Sequence, residues 1–328
     1  MTKKILVWLL LTFFVANVSL AQAQQPTKIP RIGFLLAVSP SVITTRVEAF
    51  RQGLRELEYI EGKNIVIEWR YAEEKLDRLP ALAAELVRLK VGIIVTTGPG
   101  STRAAKEATS TIPIVMAQDN DPVGNGFVAS LAHPGGNITG LSTLGPELSG
   151  KRLELLTEVV PKLSRVAVLG TSTFAGHAQM LREVELAAGA FGVKLQYLDV
   201  LGPKDIDTAF RAAVKGRAEA VLMILAGAVA SAHRTEIADL AVKNRLPVMY
   251  PESRYVEAGG LMFYGVNLLD LDRRAATYVD KILKGRTPAD LPVEQPMKFE
   301  FIVNLKAAKA IGLTIPPNVL VRADKVIR

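Results

Sequence analysis

The same order of strand and helix signals occurs twice in this chain. Four short runs of apolar residues recur after 129 to 134 residues, in the same order and with helical patterns between them. The paired runs open at Arg31 and Arg165, at Asn64 and Lys194, at Val91 and Ala220, and at Ile112 and Leu246. Strands that are apolar on both faces and alternate with helices are typical of doubly wound parallel sheets. The sequence therefore predicts an α/β protein with two Rossmann-like lobes in tandem.

Helical periodicity fills the gaps between the apolar runs. Apolar residues at spacings of three and four predict helices over 42–57, 76–89, 102–108, 178–191, 205–214 and 233–242. Basic and acidic residues alternate along several of them, as over 46–58, and we expect these charges to form solvated faces.

Turn signals indicate where the chain passes between the lobes. A Pro-Gly-Gly-Asn turn at 134–137 precedes a strand-like segment and then Gly145-Pro146, which opens the next helix. Further breaks occur at 265–267 and 292–296. We expect lobe 1 to comprise 28–141 plus about 266–292, and lobe 2 to comprise 142–265 plus about 293–328. The expected hinge residues are Asn137, Thr139, Gly140 and Gly265.

The N-terminus reads as a cleavable export signal. Lys3 and Lys4 precede an apolar segment at 5–15, and an Ala-Gln-Ala cleavage site ends at Ala23. A membrane anchor is the alternative, but it needs about 20 apolar residues, and Asn17 interrupts this segment. We expect residues 1–23 to be removed and the remainder to be periplasmic.

Cysteine content and charge exclude several classes of protein. The chain has no cysteine, which excludes disulfides, thiolate metal sites and a lipid anchor on cysteine. The net charge is +8, or +6 without Lys3 and Lys4, but the basic residues are dispersed. A nucleic-acid surface needs a basic stripe or stacking aromatics, so we expect no nucleic-acid partner.

Ligands of open α/β sheets bind beyond the carboxyl ends of the strands. This rule selects loops at 38–41, 96–101 and 117–123 in lobe 1, and at 170–176, 226–231 and 250–254 in lobe 2. Within or beside these loops we select the candidate ligand residues Ser39, Thr97, Gly98, Ser101, Asp119, Asp121, Ser172, His177, Ala226, Tyr250 and Glu252. Any one of them could instead be a helix cap.

The loops suggest complementary roles for the two lobes. The segment 97–102 places hydroxyls and several amides at a helix start, where they could bind a carboxylate or phosphate. Asp119 and Asp121 could pair with an ammonium group, although Asp121-Pro122 is also an ordinary helix start. Tyr250 and Glu252 would add an aromatic wall and an acceptor. We expect lobe 1 to bind a small polar ligand first and lobe 2 to close over it.

Nucleotide, metal and catalytic motifs are weak. The segment 145–152 has the spacing of a P-loop, but Arg152 stands where a magnesium-binding hydroxyl is required. The segment 124–129 resembles a dinucleotide fingerprint in the wrong position along the lobe. The three histidines, His133, His177 and His233, lie in separate segments, and no two of them are three or four residues apart. We therefore expect no catalytic residue, metal or cofactor.

Several longer segments resemble one known family. They are Phe-Arg-Gln-Gly-Leu-Arg-Glu-Leu at 50–57, Glu-Gly-Lys-Asn at 61–64, Thr-Ser-Thr-Ile-Pro-Ile-Val at 109–115, Asp-Pro-Val-Gly at 121–124, Pro-Gly-Gly-Asn-Ile-Thr-Gly at 134–140 and Arg-Ala-Asp at 322–324. From about residue 29 to 327 the chain is similar to the ABC transporter substrate-binding proteins that include TrpX-like proteins. It departs from their pattern at Glu58, where glycine is common, at His133 and at Lys325.

The resemblance implies a type I periplasmic binding protein. Such a protein captures a small, possibly amino-acid-like molecule between two lobes by hinge closure, acts as a monomer, and delivers the ligand to an ABC permease in the inner membrane. Two other functions remain open. One is a sensory receptor for a membrane signalling protein, and the other is an exported enzyme on the same fold.

Overall fold

Twelve strands form two sheets in the computed structural model, which describes residues 29–225 and 228–328. The first sheet contains β1 (Arg31–Leu36), β2 (Val66–Tyr71), β3 (Ile93–Thr97), β4 (Ile114–Asp119) and β5 (Ile138–Ser142). The second contains β6 (Arg165–Gly170), β7 (Lys194–Asp199), β8 (Ala220–Met223), β9 (Val248–Tyr250), β10 (Met262–Val266), β11 (Phe299–Asn304) and β12 (Lys325–Ile327). The predicted export signal and Ala226 lie outside the described residues.

Helices connect the strands and cover both faces of each sheet. They are α1 (Pro40–Glu56), α2 (Leu79–Arg88), α3 (Gly98–Ala108), α4 (Gly145–Val159), α5 (His177–Phe191), α6 (Pro203–Lys215), α7 (Ala228–Ala232), α8 (Arg234–Lys243), α9 (Ser253–Glu257), α10 (Leu268–Leu283), α11 (Leu305–Ile311) and α12 (Pro317–Arg322). Short 3₁₀ turns lie at Leu76–Arg78 and Pro288–Asp290. All six helices that the periodicity predicts are present.

The strand order confirms the duplication. The first sheet has the order β2-β1-β3-β4-β5, and the second contains the matching order β7-β6-β8-β9-β10. All neighbours within these two sets are parallel. The second sheet is extended by β11, which is antiparallel to β10, and by β12. The fold is therefore the predicted α/β arrangement of two doubly wound lobes.

Each sheet has an apolar core on both faces. Alternate residues of β1 show why, because Ile32 and Phe34 pack toward α1 and α10 while Leu35 packs toward α2 and α3. In the second sheet, α4 and α5 with α11 and α12 cover one face, and α6, α8 and α9 cover the other. Burial on both faces explains why the strands read as continuous apolar runs.

The chain crosses between the sheets three times. It leaves the first sheet at 143–144, after β5, and returns at Asn267, which caps α10 by accepting the Asp270 N–H at 3.1 Å. Residues up to Glu294 still pair with β5, since the Ser142 N–H donates to the Glu294 carbonyl at 2.9 Å. The last crossing therefore falls at 295–298, two residues or more beyond the predicted boundary at about 293.

The four predicted hinge residues lie inside or beside strands. The Asn137 amide donates to the Ile112 carbonyl at 2.8 Å, and the Thr139 hydroxyl donates to the Leu291 carbonyl at 2.6 Å. Gly140 has a φ of +138°, and a Cβ there would lie 2.1 Å from the Met116 carbonyl oxygen. Gly265 lies within β10. These contacts tie three of the residues to the first sheet, and a hinge role for any of them stays a prediction.

Glu58 illustrates how the backbone explains a departure in sequence. It follows α1 with a φ of +67°, a left-handed conformation that glycine adopts without steric cost. Glycine is common at this position in the family that the sequence resembles.

Gly53 provides a test of how α1 packs against α10. A Cβ at Gly53 would lie 2.1 Å from the Arg273 carbonyl oxygen and 2.9 Å from the Ala276 Cβ. We expect Gly53→Ala to push the two helices apart and to lower the free energy of unfolding by about 1–3 kcal/mol. Urea unfolding followed by circular dichroism would measure this loss.

Gly189→Ala is the matched control. Gly189 is exposed on α5, and nothing lies within 4 Å of the position that its Cβ would occupy. This substitution should raise the free energy of unfolding by about 0.5–1 kcal/mol, because glycine disfavours a helix. Equal effects of the two substitutions would contradict the close approach of α1 and α10.

Candidate functional site

A cavity of about 430 Å³ lies between the carboxyl ends of the two sheets. In lobe 1 it is lined by the loops that follow β1, β2, β3 and β4, and in lobe 2 by those that follow β6, β7, β8 and β9. Each of the six loops selected from the sequence contributes at least one lining residue. Its volume is typical of a small-molecule site.

Four of the candidate residues line this cavity, namely Thr97, Gly98, Asp119 and Glu252. Thr97 ends β3, and Gly98 opens α3 with a φ of +76°. Asp119 ends β4, and Glu252 precedes α9. Each selected loop therefore reaches the cavity, whereas the remaining described candidates do not line it.

The other candidates in lobe 1 do not line the cavity. The Ser39 N–H donates to the Glu74 carboxylate at 3.0 Å at the start of α1. Ser101 is fully buried on α3. Asp121 accepts the Gly124 N–H at 2.8 Å, so its carboxylate closes a turn instead of facing the cavity. The cap interpretation of Asp121 agrees with this bond, although the segment is a turn and not a helix.

The other described candidates in lobe 2, Ser172, His177 and Tyr250, also lie away from the cavity lining. The Ser172 hydroxyl donates to Asp199 at 2.6 Å, and the His177 ring packs 5.2 Å from that of Tyr197. Burial lowers the pKa of His177. Tyr250 is fully buried and stacked on Tyr255 at 5.0 Å, so it does not form the predicted aromatic wall. It belongs to the core because β9 is a central strand of its sheet.

Phe174, in the loop after β6, is the aromatic residue that lines the cavity from lobe 2. Val38, Leu76, Met180 and Leu201 add apolar surface around it. The cavity can therefore hold an apolar group as well as polar ones.

Asp119 is a buried carboxylate with a free oxygen in the cavity wall. It is 1 % exposed, and its Oδ1 accepts the Asn125 amide at 2.8 Å and the Asp121 N–H at 3.0 Å. Its Oδ2 is buried without a hydrogen-bond partner among the described residues. Burial raises the pKa of Asp119 to about 7, although those two bonds favour the carboxylate. A cationic group in the cavity would provide the missing partner.

Two arginines of the cavity wall already have carboxylate partners. Arg46 binds Asp272 of α10 through two hydrogen bonds, at 2.5 and 2.9 Å. Although burial alone would lower it, Asp272 holds the pKa of Arg46 above its usual value. With its amide oxygen turned toward Arg46, Gln118 also accepts from that guanidinium at 2.7 and 2.9 Å. This group is therefore fixed within lobe 1.

The second paired arginine joins the lobes. Arg254 binds the Glu252 carboxylate at 2.7 Å, and its Nη1 donates to the Val42 carbonyl of α1 at 3.0 Å. Burial alone would raise the pKa of Glu252, but Arg254, Arg46 and Arg152 together hold it below its ordinary value. Glu252 is consequently ionised at neutral pH. A second contact between the lobes runs from the Asn120 amide to the Ala175 carbonyl at 3.2 Å.

Arg152 differs from these two because it has no carboxylate partner. It lies on α4 at 5 % exposure, and its Nε donates to the Tyr264 carbonyl at 2.7 Å. No carboxylate oxygen of residues 29–225 or 228–328 lies within 4 Å of its guanidinium nitrogens. Burial lowers the pKa of Arg152 to about 10, so it is still a cation at neutral pH.

Arg46 and Arg152 each interrupt the apolar stripe of a helix, a pattern that is visible in the sequence. Arg46 falls on the apolar stripe of α1, between Ile43 and Phe50, and is 6 % exposed instead of solvated as we expected. Arg152 likewise interrupts the apolar face of α4. A charged residue on the buried stripe of a helix needs a partner, so it deserves selection as a site candidate.

The described residues lack two further features, a metal-binding cluster and a membrane-spanning helix. Over the described residues, no three His, Asp or Glu side chains are grouped closely enough to hold a metal ion. No helix in 29–225 or 228–328 combines the length and the hydropathy that a membrane span requires.

Comparison with known proteins identifies the family. The model of the family described as ABC transporter substrate binding protein matches residues 31–327. A tyrosine-binding protein of Clostridioides difficile strain R20291 is 25 % identical over 283 residues, which cover 86 % of this chain and 81 % of that protein.

Two solved structures share the fold over almost the whole chain. A conserved domain protein of Vibrio cholerae is 26 % identical with a TM-score of 0.85, over 91 % of this chain and all of that one. A Streptococcus pneumonia ABC domain in complex with L-Trp is 24 % identical with a TM-score of 0.82, over 90 % of this chain and all of that one. The chain belongs to the family of ABC transporter substrate-binding proteins.

Proposed function

We propose that this protein is the periplasmic receptor of an ABC importer and that it captures an amino acid between its two lobes. The observation that carries the proposal is the cavity at the facing strand ends, which offers a free buried carboxylate, charged groups of both signs and an apolar wall. A zwitterion with an apolar side chain matches these three features. The relatives support this class of ligand, since one is named a tyrosine-binding protein and another was solved with L-Trp.

Asp119 is the partner of the ligand ammonium in this proposal. Its free Oδ2 lies in the cavity wall, whereas its Oδ1 is held by Asn125 and Asp121. Asp121 provides no second carboxylate here, because it is engaged with Gly124. Recognition of the ammonium therefore depends on one residue instead of the two that the sequence suggested.

Capture proceeds by closure of the lobes about the three crossings. The Arg254 bond to Val42 and the Asn120 bond to Ala175 join the lobes at the cavity and stabilise the closed form. A ligand that contacts both walls shifts the population toward that form. The permease then recognises the closed receptor. The chain itself catalyses no reaction.

The first prediction concerns binding and closure. Calorimetry of the mature chain against the twenty amino acids should identify at least one ligand, with L-tyrosine and L-tryptophan the first to be measured. Small-angle scattering should show a smaller radius of gyration when that ligand is saturating, because closure brings the lobes together. Binding without any change in the radius would contradict hinge closure, and no binding to any amino acid would refute the ligand class.

The second prediction concerns pH. In the free protein the pKa of Asp119 is about 7, so the side chain is protonated below that pH. An ammonium beside Oδ2 stabilises the carboxylate and lowers the pKa in the complex, so that binding releases a proton. Affinity should be greatest above pH 7 and fall by up to about tenfold per pH unit as the pH drops below 7. Arg103 and Asp121 also face this carboxylate.

Calorimetry in buffers of different ionisation enthalpy would count the released protons. Asp119→Asn should remove the pH dependence and weaken binding about tenfold or more, the loss expected of a charged hydrogen bond. Asp207→Asn is the matched control, because Asp207 is exposed on α6 and pairs with Arg211 at 2.8 Å. Equal pH profiles for the wild type and Asp119→Asn would exclude Asp119 as the titrating group.

A further inference from the structure

We infer that Arg152 is the anion anchor of the cavity, and that the site requires a ligand bearing a carboxylate or a similar oxyanion. This inference rests on the proposed function and specifies which ligands the same cavity accepts. The supporting observation is a guanidinium that lines the cavity at 5 % exposure and has no carboxylate within 4 Å among the described residues.

Burial without a partner is costly for a cation. A buried charge is normally paired, because removing it from water is strongly unfavourable. Buried Arg46 follows this rule through Asp272, and partly buried Arg254 is paired with Glu252. Arg152 has only carbonyl oxygens, those of Tyr264 at 2.7 Å and Pro251 at 3.5 Å. An anionic group in the cavity would complete its coordination.

The surroundings of Arg152 orient it for this task. Its Nε is committed to the Tyr264 carbonyl, which fixes the plane of the guanidinium. A Cβ at Gly265 would lie 3.0 Å from Arg152 Nη2 and 2.8 Å from the Phe263 ring. Gly265 therefore provides room for the guanidinium against β10. Arginine suits a carboxylate because its planar fork can donate two parallel bonds.

Two other groups could hold the anion instead. Arg103 lines the cavity, but it is exposed and lies over the Phe127 ring at 5.3 Å. Because solvent screens an exposed charge, Arg103 should discriminate less strongly between an anionic and a neutral ligand. The N-terminus of α3 also offers backbone amides to an anion. The Thr102 hydroxyl in its first turns, however, is already hydrogen-bonded to the Thr96 hydroxyl at 2.9 Å.

The test compares an amino acid with its amide, which lacks the anionic group. L-tyrosine and L-tyrosinamide, and likewise L-tryptophan and L-tryptophanamide, are titrated at one pH into the wild type, Arg152→Met and Arg103→Met. The wild type should prefer the acid by about 10- to 100-fold, as expected for a charged hydrogen bond. In Arg152→Met this preference should fall to nearly one, while affinity for the amide stays close to that of the wild type.

A purely structural role for Arg152 would weaken both probes equally and leave the preference intact, which would overturn the inference. Loss of the preference in Arg103→Met but not in Arg152→Met would assign the anion to Arg103. If both variants keep the preference, backbone amides such as those of α3 bind the anion and the inference again fails.

Arg152→Lys keeps the charge without the planar fork and serves if the methionine variant does not fold. It should retain part of the preference, whereas an unchanged preference would contradict the geometric role of the fork. If another amino acid is the ligand, its acid and amide forms replace these four probes. Should no amino acid bind the wild type, the proposed function itself would fail, and this outcome differs from binding without discrimination.

Discussion

The direction of the parallel strands is the constraint from which the site follows. In each lobe five parallel strands have the same spatial order, β2-β1-β3-β4-β5 in lobe 1 and β7-β6-β8-β9-β10 in lobe 2. The loops at their carboxyl ends therefore gather at one edge of each sheet. The duplicated chain places two such edges opposite one another, with α10 and residues 291–294 returning to the first sheet. The cavity therefore lies where two sets of equivalent loops meet.

Charge pairing divides the cavity wall into a fixed part and an open part. Arg46 with Asp272 is a buried ion pair, and Arg254 with Glu252 is a partly buried one, and in each pair the two charges satisfy each other. These pairs orient the wall but have little left to offer a ligand. Asp119 and Arg152 are buried without an opposite charge in contact. In the proposed function, a ligand that supplies both charges offsets the cost of that burial, and the two residues together select for zwitterions.

The sequence predicted the architecture and the loops because both depend on local patterns. Apolar runs such as 93–97 mark buried strands, and a strand end determines which loop reaches the cavity whatever its composition. The rule selected Asp119, Thr97 and Glu252, and each of them lines the cavity. Tyr250 and Ser101 lie in loops that the same rule selected, yet each is buried, since the side-chain direction at a strand or helix end depends on contacts distant in sequence.

The arginines could not be placed from local patterns for the same reason. Arg152 was considered only as a residue that spoils a P-loop, because its partners Tyr264 and Pro251 lie about a hundred residues further along the chain. The buried pair of Arg46 and Asp272 likewise joins two helices that are 226 residues apart. A charged residue on an apolar stripe signals that some partner exists, but only the fold reveals which one.

Gly265 is a predicted hinge residue, and the structure gives a second reason for a glycine at this position. A glycine beside a predicted crossing suggested freedom of the backbone, and yet Gly265 is paired with Glu300 inside β10. Its lack of a side chain leaves space for the Arg152 guanidinium, which a Cβ would meet at 3.0 Å. The Arg152 bond to the Tyr264 carbonyl joins α4 to β10, and the same strand leads directly to the crossing at Asn267. The proposed anion site is thereby linked through one strand to a crossing about which closure is proposed.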